Sequence, residues 1–319
     1  MVQKKPRVSL CMPVFNGENY IAHALDSIAA QTFDDYEVIV SDNASTDRTQ
    51  AIVQARAAAD PRIRYVRNEQ NLGAARNYNI GFELARGEYL KWFAHDDAIS
   101  SNFLALMVAE LDRQPATSLA FGRTVSIGED GVEIAEFGAR MQPVQDDDAV
   151  VRYFRTLTSS GSCYPIFGLF RMADLRRSCL HRPYYGSDRA LLAEVAVMGK
   201  LAIVPDAVFY NRVHRQRSVN ISNRAQRDVW QNGTASRMSS AERLSLLGHL
   251  FAICRRHPDA VAPWRLRLTT LRYALRPIEL GRYAIELVGL VSPRAAAGLR
   301  APARMVWGAV SVPRKNGSG

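Results

Sequence analysis

The chain of 319 residues is long enough for one large or two small domains, and its 47% hydrophobic content excludes a disordered or fibrous protein. Its net charge of +10 is uneven, because residues 237–319 hold 14 Arg/Lys against 4 Asp/Glu while the remainder holds 27 of each. This basic last quarter has few aromatics to stack on bases, which sets nucleic acid aside and leaves a solvated helical surface or a contact with anionic headgroups. The four cysteines, Cys11, Cys163, Cys179 and Cys254, form no C-x-x-C pair, so neither a disulfide framework nor a zinc site is expected. No basic start is followed by a leader-like apolar run, and no apolar run reaches the ~20 residues of a bilayer span. The expected address is cytoplasmic, with any membrane contact peripheral, on the inner face of the cell membrane.

In chain order, residues 7–12 read as a strand, and Asn16 offers an N-cap to a helix carrying Tyr20, Ile21, Ala24, Leu25 and Ile28 at helical spacing. A second strand, 36–40, ends in the turn formers Ser41, Asp42 and Asn43. Strands are also expected at 63–66 and 89–94, with helices after Ser45 and over 74–85. This alternation predicts an α/β fold around a mostly parallel sheet flanked by helices. Farther on, a helix is expected over 102–113 and strands at 118–125, 167–171, 201–204 and 207–210. Ser187 is the expected cap of a helix to Met198. Beyond Trp230 the pattern is helical, with breaks at Pro258, Pro263 and Pro293. The boundaries this suggests are a donor half (1–100), an acceptor half of the same domain (101–230) and a basic helical region (231–319).

Ligands of open α/β sheets bind beyond the carboxyl ends of the strands, and two such loops here carry carboxylates. Asp96 and Asp97 follow the fourth strand. Adjacent acids there suit a divalent cation bridging to a diphosphate, although a helix N-cap has the same composition. Asp42 can accept from ribose hydroxyls or a base imide, or merely form a turn. Arg76 can meet a phosphate through its fork of donors or simply face solvent. Asp188, after two tyrosines, can take a proton from an attacking hydroxyl or serve as a helix-start charge. His214 reads either as an imidazole ligand or as a silent surface residue. The run Asp146-Asp147-Asp148 is better read as a solvated helix start than as a metal cluster.

Four segments carry a resemblance: VSLCMPVFNGENYI from Val8, EVIVSDNASTDRT from Glu37, NEQNLGAARN from Asn68 and ARGEYLKWFAHDD from Ala85. Their order and separations resemble the nucleotide-sugar half of family 2 glycosyltransferases of GT-A fold. FGLFR from Phe167, GSDRALL from Gly186, GKLAIVPD from Gly199 and RVH from Arg212 resemble the acceptor half, so that residues 7–218 are covered. The resemblance implies that Pro13, Phe15 and Asn16 shape the floor of the donor base pocket and that Asp42 contacts the base or ribose. Asp96 and Asp97 stand for the D-x-D element, with Asp97 the direct ligand of Mg2+ or Mn2+. Asp188 stands at the general base, and His214 beside the metal or diphosphate. Two departures are visible: Ala94 stands where the family often has an acid, and Ser187 where Glu often precedes the base.

The implied activity is inverting transfer of a sugar from a UDP, GDP or dTDP donor to a hydroxyl acceptor, such as a lipid-linked glycan, in polysaccharide or glycolipid synthesis. The implied partners add an anionic membrane surface, reached through residues such as 287–291 and 305–307. A dehydrogenase fingerprint or a P-loop is absent. The remaining alternative is a non-catalytic sugar-nucleotide binder or scaffold of the same fold.

Overall fold

The structure, a computed structural model, describes residues 5–134, 141–221, 223–234 and 241–292. Strands β1 (Val8–Val14) and β2 (Tyr36–Asp42) are buried at every position, as strands covered on both faces must be. Between and after them come α1 (Ile21–Ala29), α2 (Thr49–Ala59), β3 (Ile63–Arg67), α3 (Ala74–Leu84) and β4 (Tyr89–Trp92). Helix α1 buries Ile21, Ala24, Leu25 and Ile28, the face the periodicity predicts. Asn16 is not its cap. It stands in the left-handed region at φ 53°, and its Oδ1 accepts the Thr46 N–H at 2.8 Å, so the helix begins only at Ile21.

The chain continues through β5 (Ala98–Ile99), α4 (Phe103–Arg113), β6 (Thr117–Ile127), α5 (Ala149–Thr158), β7 (Leu169–Arg171), α6 (Met172–Leu175), α7 (Ser187–Met198) and β8 (Lys200–Arg212). The sheet order is β3-β2-β1-β4-β7-β6-β8-β5. β3, β2, β1 and β4 run parallel; β7 is antiparallel to both its neighbours, and β5 to β8. The sheet is therefore parallel on one side and mixed on the other, because the excursion through α5 returns the chain to the end of the sheet it left. The two strands expected at 201–204 and 207–210 are one. Its pairing with β6 shifts between Gly122 and Arg123, so that Pro205, Asp206 and Ala207 bulge out and Pro205 needs no ladder bond. Asp148 accepts the Val150 N–H at 2.7 Å and caps α5, which accounts for the acidic run before it. The left-handed Gly186, not Ser187, precedes α7.

Helices α8 (Arg224–Asn232), α9 (Glu242–Ile253), α10 (Pro263–Ala274) and α11 (Pro277–Val291) follow. Pro263 and Pro277 each open a helix, where a missing N–H costs nothing. Leu246, Leu250, Leu266 and Tyr273 close a core over α5 and α7 with Tyr153 and Leu157, and Tyr153 Oη lies 2.8 Å from Thr270 Oγ1. From α11, buried Glu286 accepts the backbone N–H groups of Arg243 and Leu244, satisfying donors at the start of α9 that have no helical acceptor.

Candidate active site

The ends of β1 and β4 and the segment after β8 open onto a cleft of about 520 Å³. Pro13, Phe15 and Asn16 line it together with Asp96, Asp97 and His214. His214 Nε2 and Asp96 Oδ2 are 2.8 Å apart. Asp97 is buried, and its Oδ1 accepts the backbone N–H of Arg212 at 2.9 Å. The Arg212 side chain, fully buried, holds this corner together. Its Nε donates to the Asp96 carbonyl, Nη1 to the carbonyls of Gly128 and Glu129, and Nη2 meets His23 Nδ1 at 2.9 Å. Burial opposes ionisation of Asp96, but the His214 hydrogen bond and the charge of His95 hold its carboxyl below the usual aspartate range. Burial, reinforced by the charge of Asp96, holds the Asp97 carboxyl well above it. The Asp96 and Asp97 carboxylates and the His214 imidazole thus line one cleft, with Arg217 and Lys91 acting on Asp97 from nearby, and oxygen and imidazole donors are ligand types that Mg2+ or Mn2+ accepts.

Asp42 reaches the expected strand end but is fully buried and is not among the residues lining the cleft. Its carboxylate accepts from Ser45 N–H (2.9 Å), Tyr65 Oη (2.5 Å) and Arg67 Nη1 (2.7 Å). Ser45 Oγ in turn accepts the Asn16 N–H at 2.9 Å, so Asp42 fixes the left-handed Asn16 turn through one intermediary. Its neighbour Asn43 lines the cleft, holding the Leu72 N–H through Oδ1. Arg76 is not brought to either cavity. It lies on the exposed face of α3, paired with Glu83 of the same helix.

A second cavity of about 490 Å³ adjoins the first, with Tyr78, Tyr164, Phe167 and Trp230 lining both. Asp188 stands in its wall, half-buried in the first turn of α7, with Oδ1 accepting the Arg189 N–H at 2.8 Å. Burial raises its carboxyl above the ordinary aspartate value, as a proton acceptor working near neutrality requires. The Arg189 guanidinium is occupied by the carbonyls of Thr156, Ser159 and Gly161, leaving Asp188 without a tight ion pair to it. His181 lines the same cavity, kept neutral by burial, and its Nε2 has no hydrogen-bond partner among the described residues.

Several residues in and behind the two cavities carried no sequence signal. Arg217 lines the first cleft, with Nη2 2.9 Å from Asn211 Oδ1. Trp230 comes from α8, whose end meets the 71–73 turn through two glycines. A Cβ on Gly73 (φ 79°) would stand 2.4 Å from the Gln231 carbonyl oxygen, and one on Gly233 2.4 Å from that of Asn71. Behind the cleft, Lys91 is buried, donates to the Phe167 carbonyl and faces the rings of Phe93, Phe103 and Phe209. Desolvation lowers its amine to about 7. A separate buried group, Cys179, Glu194 and His249, has metal-ligand composition. The Glu194 carboxylate there already accepts from Arg256 and the Cys179 N–H and lies 2.9 Å from His257 Nε2, which marks a structural network.

A sequence profile of the family described as "Glycosyl transferase family 2" matches residues 9–173, just over half of the chain. The chain is 28% identical over 217 residues to the Campylobacter jejuni GalNAc(5)-diNAcBac-PP-undecaprenol beta-1,3-glucosyltransferase, covering 68% of each. It is 39% identical over 110 residues to abequosyltransferase RfbV of Salmonella typhimurium, 34% of this chain and 33% of that protein. It spans between 14% and 36% of the other curated relatives. In fold it is similar to S. aureus TarS 1–349, with a TM-score of 0.60 at 16% identity over 92% of this chain and 83% of that one. It is also similar to the mannosyltransferase PcManGT of Pyrobaculum calidifontis, solved with GDP-Man and Mn2+ (TM-score 0.51, 21% identity, 92% and 87% covered). These likenesses establish a GT-A fold, and the chain belongs to glycosyl transferase family 2 and is a glycosyltransferase.

Proposed function

We propose that the first cleft takes a nucleoside diphosphate sugar and the second the acceptor, with transfer by one inverting displacement at their junction. The observation that carries this is the continuity of the two cavities. The Asp96–Asp97–His214 corner lies in one, a carboxylate of raised proton affinity in the other, and a shared aromatic wall lies between them. The base packs against Phe15 and Asn16, held in place from behind by Asp42 and Ser45. Arg217, which also lines this cleft, would meet the diphosphate. Asp96, Asp97 and His214 would hold the Mg2+ or Mn2+, which when bound supplies positive charge to the departing diphosphate. The acceptor oxygen attacks the anomeric carbon as its bond to the diphosphate oxygen breaks. Asp188 takes the hydroxyl proton, and the electron pair of the broken bond leaves with the nucleoside diphosphate.

The acceptor in this reading is a lipid-linked glycan. That choice is supported by the undecaprenol-linked glycan in the name of the C. jejuni relative and by the basic C-terminal region, with the chain working at the cytoplasmic face of a membrane. Among the described residues no helix is long and apolar enough to cross a membrane. Residues 305–307, one of the expected contact segments, lie outside the described residues. The deciding measurement is calorimetric titration of UDP, GDP, CDP and dTDP, each with and without manganese. One nucleotide should bind with metal and lose roughly 100-fold in affinity in Asp97→Ala, the scale of losing a ligand-shell carboxylate. Equal binding by wild type and Asp97→Ala would overturn the metal assignment.

A further inference from the structure

The two C-terminal helices present apolar side chains to solvent in a regular arrangement. On α10, Trp264, Leu268, Leu271 and Leu275 follow one another at i, i+4, i+7 and i+11, one stripe of a helix. Trp264, Leu268 and Leu275 are 65%, 62% and 64% exposed. On α11, Leu280, Ala284, Leu287 and Val291 repeat the same spacing and are exposed as well, Val291 at 89%. The opposite faces are spent on the protein: Leu266, Thr270 and Tyr273 are buried toward α5 and α9.

Within the two helices the charges that reach solvent have one sign, and from outside them Asp148 pairs with Arg265. Between residues 260 and 292 the chain has five arginines and two acids, Glu279 and Glu286. Both acids are buried and turned inward, Glu286 onto the start of α9 and Glu279 toward Arg282 and Arg243. The helical spacing sets Arg267 and Arg272 on either side of the α10 stripe, both exposed. An apolar stripe flanked on its own helix by cations is the pattern of a helix lying in the headgroup region, with its apolar face sunk roughly 5–10 Å. A face meeting a second copy of itself would set arginine against arginine.

We propose that the outward stripes of α10 and α11 form a seat for an anionic lipid surface. This rests on the reading of the acceptor as lipid-linked and adds to it a location. Both helices pack on α9, and α9 supplies Glu242, Arg243 and Leu246 to the acceptor cavity. The seat is thus one helix away from the cavity in which the acceptor hydroxyl would meet Asp188, within reach of a glycan anchored in the same surface.

The test is sedimentation of the full chain with vesicles of phosphatidylcholine alone or mixed with phosphatidylglycerol. The wild type should sediment with the anionic vesicles and not with the neutral ones. Leu268→Glu/Leu275→Glu should abolish sedimentation, and Arg267→Glu should weaken it at least roughly fivefold. Both variants should keep the wild-type melting temperature and nucleotide affinity, since these side chains touch neither cavity. Sedimentation unchanged in both variants, or absent in the wild type, overturns the proposal. So does a concentration-dependent dimer lost in Leu268→Glu/Leu275→Glu, which gives the face to a second copy. Vesicle binding seen only after removal of residues 293–319 gives it to that segment and likewise overturns the proposal. Nucleotide titration reads the transferase assignment separately, so either idea can fail alone.

Discussion

The cleft proposed for the donor and the cavity proposed for the acceptor share an aromatic wall but are built in different ways. The donor side is made of loops that leave consecutive parallel strands, and its polar groups hold one another through backbone bonds: Asp42 to Ser45, Ser45 to Asn16, Asn16 to Thr46, Asn43 to Leu72. The acceptor side is assembled from distant stretches, with Tyr164, Asp188, Trp230 and Leu246 brought together by helix packing. The first is rigid because its hydrogen bonds close on themselves. The second is shaped mainly by side chains, and apolar ones such as Trp230 and Leu246 can be exchanged without unpairing a backbone group, whereas Asp188 and Arg189 cannot. A donor cleft should therefore tolerate little change, while an acceptor cavity of this construction can be reshaped.

The sharpest way to break that contrast is Asp188→Asn. It should lower turnover by roughly 10²–10⁴-fold while leaving nucleotide affinity unchanged, measured by product formation beside calorimetry. In the wild type the acid limb of kcat/KM should lie above the ordinary aspartate value of 3.8, because burial favours the protonated form and the base works only when ionised. Trp230→Ala should act on both cavities, raising the KM of acceptor and donor about tenfold by loss of an aromatic wall. A change in one KM alone would show that the wall belongs to one cavity.

Lys91 tests the rigid half through stability. Its amine, lowered from 10.5 to about 7, favours the folded state only when neutral, so its burial is most costly below pH 7 and stability recovers as pH rises from 7 towards 10.5. That depression corresponds to at most about 5 kcal/mol. Lys91→Met should flatten the rise of melting temperature across that window, followed by thermal scans at several pH values. Arg76→Ala should be the mildest change, within about twofold in turnover, since it removes only an exposed intrahelical ion pair. A large loss there would mean that α3 turns toward the diphosphate during the reaction.

How much of this could be read beforehand follows the same division. The alternation of strand and helix through β4, and the carboxylates at strand ends, were legible because each motif is contiguous. The burial of Asp42 was not, since it depends on the β2–β3 register that places Arg67 opposite it. Nor was the bond from Tyr65, two residues earlier on the same strand. The Arg212 clamp joins positions near 23, 96 and 128 that no spacing connects. Arg76 shows the opposite failing: a motif position identifies the residue but not the direction its side chain takes once Glu83 lies along the same helix. Trp230 had no local signal, because its place is set by where α8 comes to rest.

That resting place is set without adjustable parts. Gly73 and Gly233 bring the turn before α3 and the end of α8 to bare backbone contact, so the span from the donor loop to Trp230 is fixed by the thickness of two peptide planes. A spacer made of side chains could drift by a methyl group at a time; this one has no smaller setting. On the proposed reading, the gap between the two cavities is thus set by backbone contact that a side chain at either glycine would widen. A side chain at either position would combine a left-handed backbone with a backbone clash, so this spacing is costly to change in either direction.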